Sequence, residues 1–437
     1  MTGTAEPGAR PSRGPEDGAS GRAGAGARNP PASGAREREG AVAHDPPASG
    51  RAGVRVAFVT DIVTPYMVAV LAALARRCEL SVAFCSRTGT RGMPWQIEVP
   101  FAHTVIGGLT IRRRSPDATD FYLSPRTLRV LLAARPQAII SGGFSFPSMY
   151  AAVCAHMRGV PLLIHSDGTA RSEAGLGRAH DLARALMRRM AWGAVANSRP
   201  AAARFAQLGF APERIFLAPH AAELSRLRGI GAARTYEGQR LRLLCVGRLI
   251  PRKGVAQLLR ACARATAAGA DVRLTVAGQG PEEPALRELA ASLGLDVRWL
   301  GFVEQSRLPE VYERADAFAF PTLEDPYGLV LLEAGAAGLP LIASPHGGAT
   351  EDLVRDGHSG LVVEPADEEA LAAAIARLAR DPALRARLGR AAYAATADRS
   401  PDSSAAGYLA AVSAALAGDG TASRSQRAGE DHLQPTG

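Results

Sequence analysis

The sequence predicts an α/β protein of two doubly wound, Rossmann-like domains facing a central cleft. Three observations lead there. Short apolar runs rich in β-branched residues alternate with amphipathic stretches; the pattern breaks once at a polar segment; it then restarts. Strands that are apolar throughout and spaced by helices belong to parallel sheets covered on both faces. At 437 residues the chain also exceeds the roughly 250–300 residues that a single core usually reaches.

The elements follow in order. Residues 1–52 are mostly Gly, Pro, Ala, Ser, Arg and Glu, with too little apolar surface to offset the entropy of ordering, so they read as a disordered tail. "VRVAFVT" (54–60) starts the first sheet and "YMVAVLAALARR" follows it as a helix. "LSVAFC" (80–85), "QAIIS" (137–141), "VPLLIH" (160–165) and "GAVAN" (193–197) continue the sheet, giving a first domain over 53–232. The polar stretch "RGIGAARTYEGQR" (228–240) is the link. "LRLLCVG" (241–247), "VRLTVAG" (272–278), "VRWL" (297–300), "AFAFP" (317–321), "LPLIAS" (339–344) and "GLVVEP" (360–365) are the strands of a second domain over 233–398. A helix over 399–418 caps the structure or crosses back to the first domain, and 419–437 reads as a second disordered tail. Two such sheets place a ligand cleft between the carboxyl ends of their strands.

Composition narrows the partners. No run of 18 uncharged apolar residues exists; the nearest approach, "MYAAVCAHMRGVPLLIH", is broken by Arg158. The N-terminus shows no apolar segment of the secretory kind. Cys78, Cys85, Cys154, Cys245 and Cys262 have no metal-site spacing, and most sit in apolar segments, as reduced buried thiols of a cytosolic protein do. The net charge of +9 is unevenly spread: residues 53–235 hold 23 basic against 10 acidic side chains, residues 236–398 hold 18 against 22. A one-sided basic field attracts anions such as nucleic acid, an anionic lipid surface or a phosphorylated substrate. No nucleic-acid-binding module or aromatic platform accompanies the charge, which argues against nucleic acid.

The chemistry-bearing residues cluster in the second half. Gly247-Arg248 follows a strand, and Lys253-Gly254 opens the next helix. Lys253 is the only lysine of the chain. A forked guanidinium, a compact ammonium and a helix N-terminus together suit a diphosphate. Gly278-x-Gly280-Pro281 makes a tight turn that lacks a dinucleotide fingerprint's third glycine and reads as structural. In "PTLEDPYGLVLLEAGAAG" (321–338), Asp325 and Glu333 are separated by seven residues. A helix starting near Gly328 would turn its free amides to the same cleft as Asp325, and Glu333 could accept from a ribose diol. In "SPHGGATEDLV" (344–354), Glu351 and Asp352 suit a helix N-terminus.

"VGRLIPRKG", "VAGQGPEEPALRELAASLGL", "LPEVYERADAFAFPTLEDPYGLVLLEAGAAGLPLIASPHGG" and "GLVVEPADEEALAAAI" resemble the nucleotide-sugar half of retaining GT-B glycosyltransferases of family 4. The likeness is unbroken over about 241–395. The first half resembles the family more weakly, through "PYMVAVLAALARR", "GVPLLIHSDG" and "VANSRPAAARFAQLG". The resemblance implies that Arg248 and Lys253 grip the donor diphosphate beside Gly247, and that Glu333 binds the nucleotide ribose. Asp325 falls where the family has the first Glu of an E-x7-E pattern, in contact with sugar hydroxyls. Glu324 directly precedes it, and register favours Asp325. Tyr327, Gly328 and Leu329 would complete the donor site, with backbone amides around Gly328-Leu329 touching sugar and phosphate. Asp167 stands where many members have a histidine. His165 and Asp167, two apart on a strand, would share one rim of the cleft and orient the acceptor hydroxyl. The glycine-rich loop that many members carry after the first strand is replaced by "TDIVTPYM".

The implied activity is transfer of a sugar from a nucleoside diphosphate donor to an acceptor, with retention of anomeric configuration and with no metal or other cofactor. Its place is the cytoplasm, with peripheral contact to an anionic membrane through the basic first domain, including Arg112, Arg113 and Arg114. The acceptor stays open between a glycan, a lipid-linked intermediate and a small natural product. Sugar phosphorolysis, nucleotide-sugar epimerisation and non-catalytic nucleotide-sugar binding are the competing readings.

Overall fold

The computed structural model describes residues 53–87, 97–111, 121–238 and 240–430. The N-terminal tail, residues 112–114 and residues 431–437 lie outside the described residues.

The first half begins with β1 (Arg55–Ile62), α1 (Pro65–Ala75), β2 (Glu79–Ser86), β3 (His103–Val105), β4 (Leu109–Ile111) and β5 (Phe121–Leu123). It continues through α2 (Arg126–Ala134), β6 (Ala138–Gly142), α3 (Phe146–Arg158), β7 (Leu162–Ser166) and α4 (Arg178–Met190). β8 (Gly193–Ala196), α5 (Arg199–Gln207), β9 (Ile215–Leu217) and α6 (Ser225–Ala232) complete it. The second half runs through β10 (Leu241–Val246), α7 (Val255–Ala267), β11 (Val272–Ala277), α8 (Glu283–Ser292), β12 (Val297–Gly301) and α9 (Leu308–Glu313). Next come β13 (Ala317–Phe320), α10 (Leu329–Ala336), β14 (Leu341–Ala343), α11 (Thr350–Leu353) and β15 (Gly360–Val362). Three helices end the described chain: α12 (Glu368–Arg380), α13 (Pro382–Ala395) and α14 (Pro401–Glu430).

Two parallel sheets result, in the orders β3-β2-β1-β6-β7-β8-β9 and β12-β11-β10-β13-β14-β15, with β4 and β5 as a separate antiparallel pair. The central strands are apolar along their length because helices cover both faces; Phe58, Ile139, Leu243 and Phe318 are fully buried. Each such side chain contributes about 1.5–3 kcal/mol by leaving water. β3, β4, β5 and β9 escape the sequence reading, since three residues are too few to show a period of two. In each sheet the winding reverses at one place, between β1 and β6 and between β10 and β13. Ligands of open parallel sheets bind outside the strand ends at such a reversal.

The helix just before the 232/233 position read from the polar stretch packs with the second half. Leu224 and Leu227 are buried in the second core, and α6 packs on α9, α10 and α13. The polar stretch is itself fastened down. Arg234 donates to the carbonyls of Tyr312, Ala315 and Ala337 at 2.8, 2.6 and 2.5 Å, so one guanidinium ties the ends of α9 and α10 together. A cation at helix carboxyl ends also meets the negative end of each dipole.

α14 returns to the first sheet. Ala405, Tyr408, Ala411, Val412 and Ala415, at helical spacing, are buried in the core that contains Phe58, Leu71 and Val195. The helix continues to Glu430, past residue 419 where the sequence reading began the tail; residues 419–430 contain no proline to stop it. Arg76 and Arg77, directly after α1, pair with Asp402 in its first turn, each at 3.0 Å. The five cysteines are buried free thiols. No helix among the described residues is long and apolar enough to cross a membrane.

Candidate active site

The loops at the second reversal carry the charged groups. Lys253 ends a short 3-10 turn after β10, and Asp325 lies in the loop after β13. Strand order makes these loops neighbours, and Lys253 Nζ forms an ion pair with Asp325 Oδ2. Both side chains are largely buried. The Tyr327 amide donates to the other oxygen, Oδ1, at 3.2 Å, and fixes the carboxylate. Glu324, by contrast, is held through its backbone: its carbonyl accepts from Arg252 and Thr322 and its amide donates to the Arg252 carbonyl.

α10 begins at Leu329 with Gly328 as its cap, at φ +94°. A Cβ there would run into the ring of Phe320, so both the left-handed backbone and the lack of space require glycine. The Leu331 amide already donates to the Gly328 carbonyl, while those of Leu329 and Val330, ahead of it, are the helix-start donors that suit an anion. One turn later Glu333 accepts a hydrogen bond from the Tyr312 hydroxyl at 2.7 Å. Burial pushes the Glu333 carboxyl up to about 7, and Tyr312, itself fully buried, holds it back from going higher. The two carboxylates thus differ sharply: Asp325 has a cation beside it, whereas Glu333 has only a hydroxyl.

A cavity of about 400 Å³ opens at the start of α10, lined there by Leu329, Val330 and Glu333. Pro65 and Tyr66 line it from the first half, and Ala222, Gly247, Arg248 and Glu333 from the second. Its floor depends on Gly278, at φ +142°, where a Cβ would collide with the Gly247 carbonyl. The turn read as structural is what lets the two loops close on each other. A larger cavity of about 580 Å³ lies on the outer face of the second sheet against α9, walled by Arg242, Arg273, Arg298 and Arg314. It shares Phe302 and Val303 with the first cavity, and Arg242 is already held by Asp316 at 2.6 Å.

Across the cleft, the ends of β7, β8 and β9 gather a second cluster. The sequence reading put His165 and Asp167 on one rim. β7 ends at Ser166, so only Asp167 reaches the rim, with its side chain half exposed. His165 lies beneath it, buried between Phe58 and Tyr408. The Tyr408 hydroxyl lies 2.9 Å from His165 Nδ1 and 3.4 Å from Asn197 Nδ2. Since the amide can only donate, the hydroxyl donates to Nδ1. Burial, with His220 nearby, lowers the His165 pKa to about 4 against the pull of Asp167, so the ring is neutral.

His220, after β9, places Nε2 3.5 Å from Asp167 Oδ2. Burial works against the Asp167 charge, but His220, His165 and the residue's own amide hold the carboxyl below its ordinary value. Tyr66 stands edge-on to the His220 ring at 5.3 Å, and Tyr327 on another side at 4.7 Å. The Tyr327 hydroxyl donates to the His220 carbonyl at 3.1 Å. Tyr327, named with the donor-site residues, buries its side chain in the contact between the two halves, and its amide donates to Asp325.

The chain matches two family models in succession: Glycosyltransferase Family 4 over residues 63–226 and Glycosyl transferases group 1 over residues 233–395. The chain belongs to glycosyltransferase family 4. This family 4 chain is 36% identical to a GDP-mannose-dependent monoacylated alpha-(1-6)-phosphatidylinositol monomannoside mannosyltransferase of Corynebacterium glutamicum, over 34% of this chain and 40% of the relative. It is 42% identical to a D-inositol 3-phosphate glycosyltransferase of Geodermatophilus obscurus, over 39% of this chain and 40% of the relative. These matches span less than half the length of those relatives. Among solved structures, Anabaena Alr3699/HepE in complex with UDP and glucose shares the fold at TM-score 0.64 and 20% identity, over 82% of this chain and 99% of that one.

Sequence reasoning missed His220, Tyr312 and Tyr408. His220 carried a signal, a polar residue in "LAPHAAEL" directly after an apolar run ending on the cleft side. Tyr312 and Tyr408 sit in apolar helical stripes and gave none. Among the described residues no three of His, Cys, Asp and Glu gather as a metal-ligand set.

Proposed function

We propose that this family 4 chain transfers a sugar from a nucleoside diphosphate sugar to an acceptor hydroxyl, with retention at the anomeric carbon. The observation that carries the reading is a cavity lined by Gly247, Arg248, Leu329 and Glu333, with the Lys253–Asp325 ion pair in the loops that lead into it and into α10. Glu333 accepts from the ribose diol. Phe302, Val303, Leu308 and Val330, which also line the cavity, form the apolar slot for the base. Arg248, Lys253 and the first-turn amides of α10 hold the diphosphate. Asp325, steadied by the Tyr327 amide, accepts from sugar hydroxyls.

As the bond from the anomeric carbon to the diphosphate oxygen breaks, that oxygen gains charge, which these fixed donors stabilise without reorganising. The acceptor oxygen bonds to the carbon on the face that the diphosphate leaves, and its proton passes to the departing oxygen. The Asp167–His220 pair faces the acceptor and orients its hydroxyl. No step calls for a metal or another cofactor. The protein works in the cytoplasm, and the basic first half brings it to an anionic membrane.

The test is a panel of nucleotide sugars with NMR assignment of the product anomer. Transfer with the donor's configuration supports the reading. An inverted product, isomerised donor without acceptor, or turnover only with inorganic phosphate would each replace it.

A further inference from the structure

Large apolar side chains left in solvent are confined to the first half; among the described residues none belongs to 233–398. Most stand on two neighbouring helices. On α3, Phe146, Met149, Val153 and Met157 follow one another at three- and four-residue steps and make an outward stripe. The opposite side of the same helix, Ala151, Ala152, Cys154 and Ala155, is buried against the sheet. α3 is therefore apolar on two sides, which one core does not explain. α4 repeats the pattern with Leu182, Leu186 and Met190 at four-residue steps. Met157 is 62% and Leu182 73% exposed. α3 and α4 pack side by side, so the stripes form one face. Contiguous exposed apolar surface marks a docking site.

The charges around that face select its partner. α2, α3 and α4 together contain one carboxylate, Asp181, and it lies 3.3 Å from Arg184 of its own helix. Exposed Arg126, Arg129, Arg158, Arg178 and Arg189 stand on the same three helices. A second copy of the chain docking by this face would bring two such arginine sets together and supply no acid. An anionic lipid surface complements both features, taking up the apolar side chains while the headgroups meet the guanidinium groups.

We infer that the α3–α4 face docks on an anionic bilayer and that the acceptor reaching the cleft is carried by that bilayer. The inference rests on the transferase reading above. α3 follows β6 and runs back along the sheet, so Phe146 lies at the cleft end of the stripe and Met157 at the far end. Docking along both helices brings the cleft mouth beside the lipid surface, where a lipid-borne hydroxyl can enter past Asp167.

The test is co-sedimentation of the full chain with vesicles of phosphatidylcholine alone or with 30% phosphatidylglycerol ("about a third anionic", a composition in the range where such fields act). Binding to the anionic vesicles should exceed binding to neutral ones at least about tenfold and weaken with salt. Leu182→Asp with Leu186→Asp, and separately Arg178→Glu with Arg189→Glu, should each reduce it about tenfold or more. Label from UDP-glucose or GDP-mannose, supplied with a polar lipid extract, should enter the organic phase.

Equal binding to neutral vesicles, no binding, or variants that bind like the parent overturn the docking face. Self-association by light scattering without vesicle binding assigns the face to a second copy and overturns it too. Label appearing only in water-soluble product overturns the lipid-borne acceptor. Nucleotide diphosphate binding, followed by thermal shift, should be unchanged in both variants. Its loss in the parent chain would instead fault the transferase reading, so the two failures are separable.

Discussion

Glu333 and Tyr312 give the sharpest prediction. Glu333 must be ionised to accept from both hydroxyls of a ribose, yet burial sets its pKa at about 7 in the empty cleft. Nucleotide affinity should therefore rise with pH and level off above about 7. The Tyr312 hydroxyl, 2.7 Å from Oε2, donates to the charged form and favours it. A hydrogen bond to a charged group contributes about 1.5–3 kcal/mol, and 1.36 kcal/mol moves a titration midpoint by about one pH unit. Tyr312→Phe should then move the midpoint of nucleotide affinity up by about one to two pH units, leaving affinity near the parent value at the alkaline limit. Isothermal titration of the nucleoside diphosphate between pH 5.5 and 9.5 measures it. An unmoved midpoint would refute the reasoning, as would an equal loss at every pH, which is what a merely misfolded cleft gives. The same carboxylate has a stability signature of definite sign. Its folded pKa lies above the ordinary 4.5, so the native state holds the extra proton and stability falls as pH rises from 4.5 to 7. Glu333→Gln should remove that fall, stabilising the empty fold at pH 8 by up to about 3 kcal/mol while weakening nucleotide binding.

Three further outcomes are expected. Lys253→Ala should lower turnover on the order of 10²-fold or more, as for loss of one transition-state donor, and Lys253→Arg, although it conforms to the chain's habit, should recover little because a guanidinium cannot take the same seat beside Asp325; full activity of the arginine variant in steady-state assays would contradict this. His220→Gln should cut transfer about 10²-fold through loss of the Asp167 pairing yet leave nucleotide affinity unchanged, and an equal loss of nucleotide binding would place His220 on the donor side instead. Arg234→Met should cost about 2–4 kcal/mol in denaturant unfolding, since three carbonyls lose their donor together; a change under about 0.5 kcal/mol would show that water replaces the clamp.

What the sequence disclosed follows from what side-chain pattern can encode. Period and apolar runs marked the long strands and the restart of the pattern at Leu241, and of the motif residues Lys253 and Asp325 form an ion pair while Glu333 lines the neighbouring cavity. The failures are those of long range. Nothing local says that α6 packs with the second sheet, because Leu224 and Leu227 would suit either core. Tyr327 sits inside a motif, and motif membership does not say which way a ring turns; the other half of the protein decided it. His165 was placed on the rim by strand alternation, but alternation holds only while the strand lasts, and β7 ends one residue later.

The return of α14 has a consequence for how the protein is made. Tyr408, Ala411 and Ala415 complete the core of the first sheet, yet they are among the last residues of the described chain to leave the ribosome. During synthesis the first sheet emerges with one apolar side covered only in part, by α1, and stays so while the second sheet is still being translated. The usual order, in which the N-terminal domain finishes first, is therefore reversed here. A gene fragment ending before Pro401 would produce a first half with Phe58 and Leu71 open to water, prone to aggregate however well its own strands pair. The second half, by contrast, has every one of its strands and covering helices in hand by Ala395 and is the one that can mature on its own.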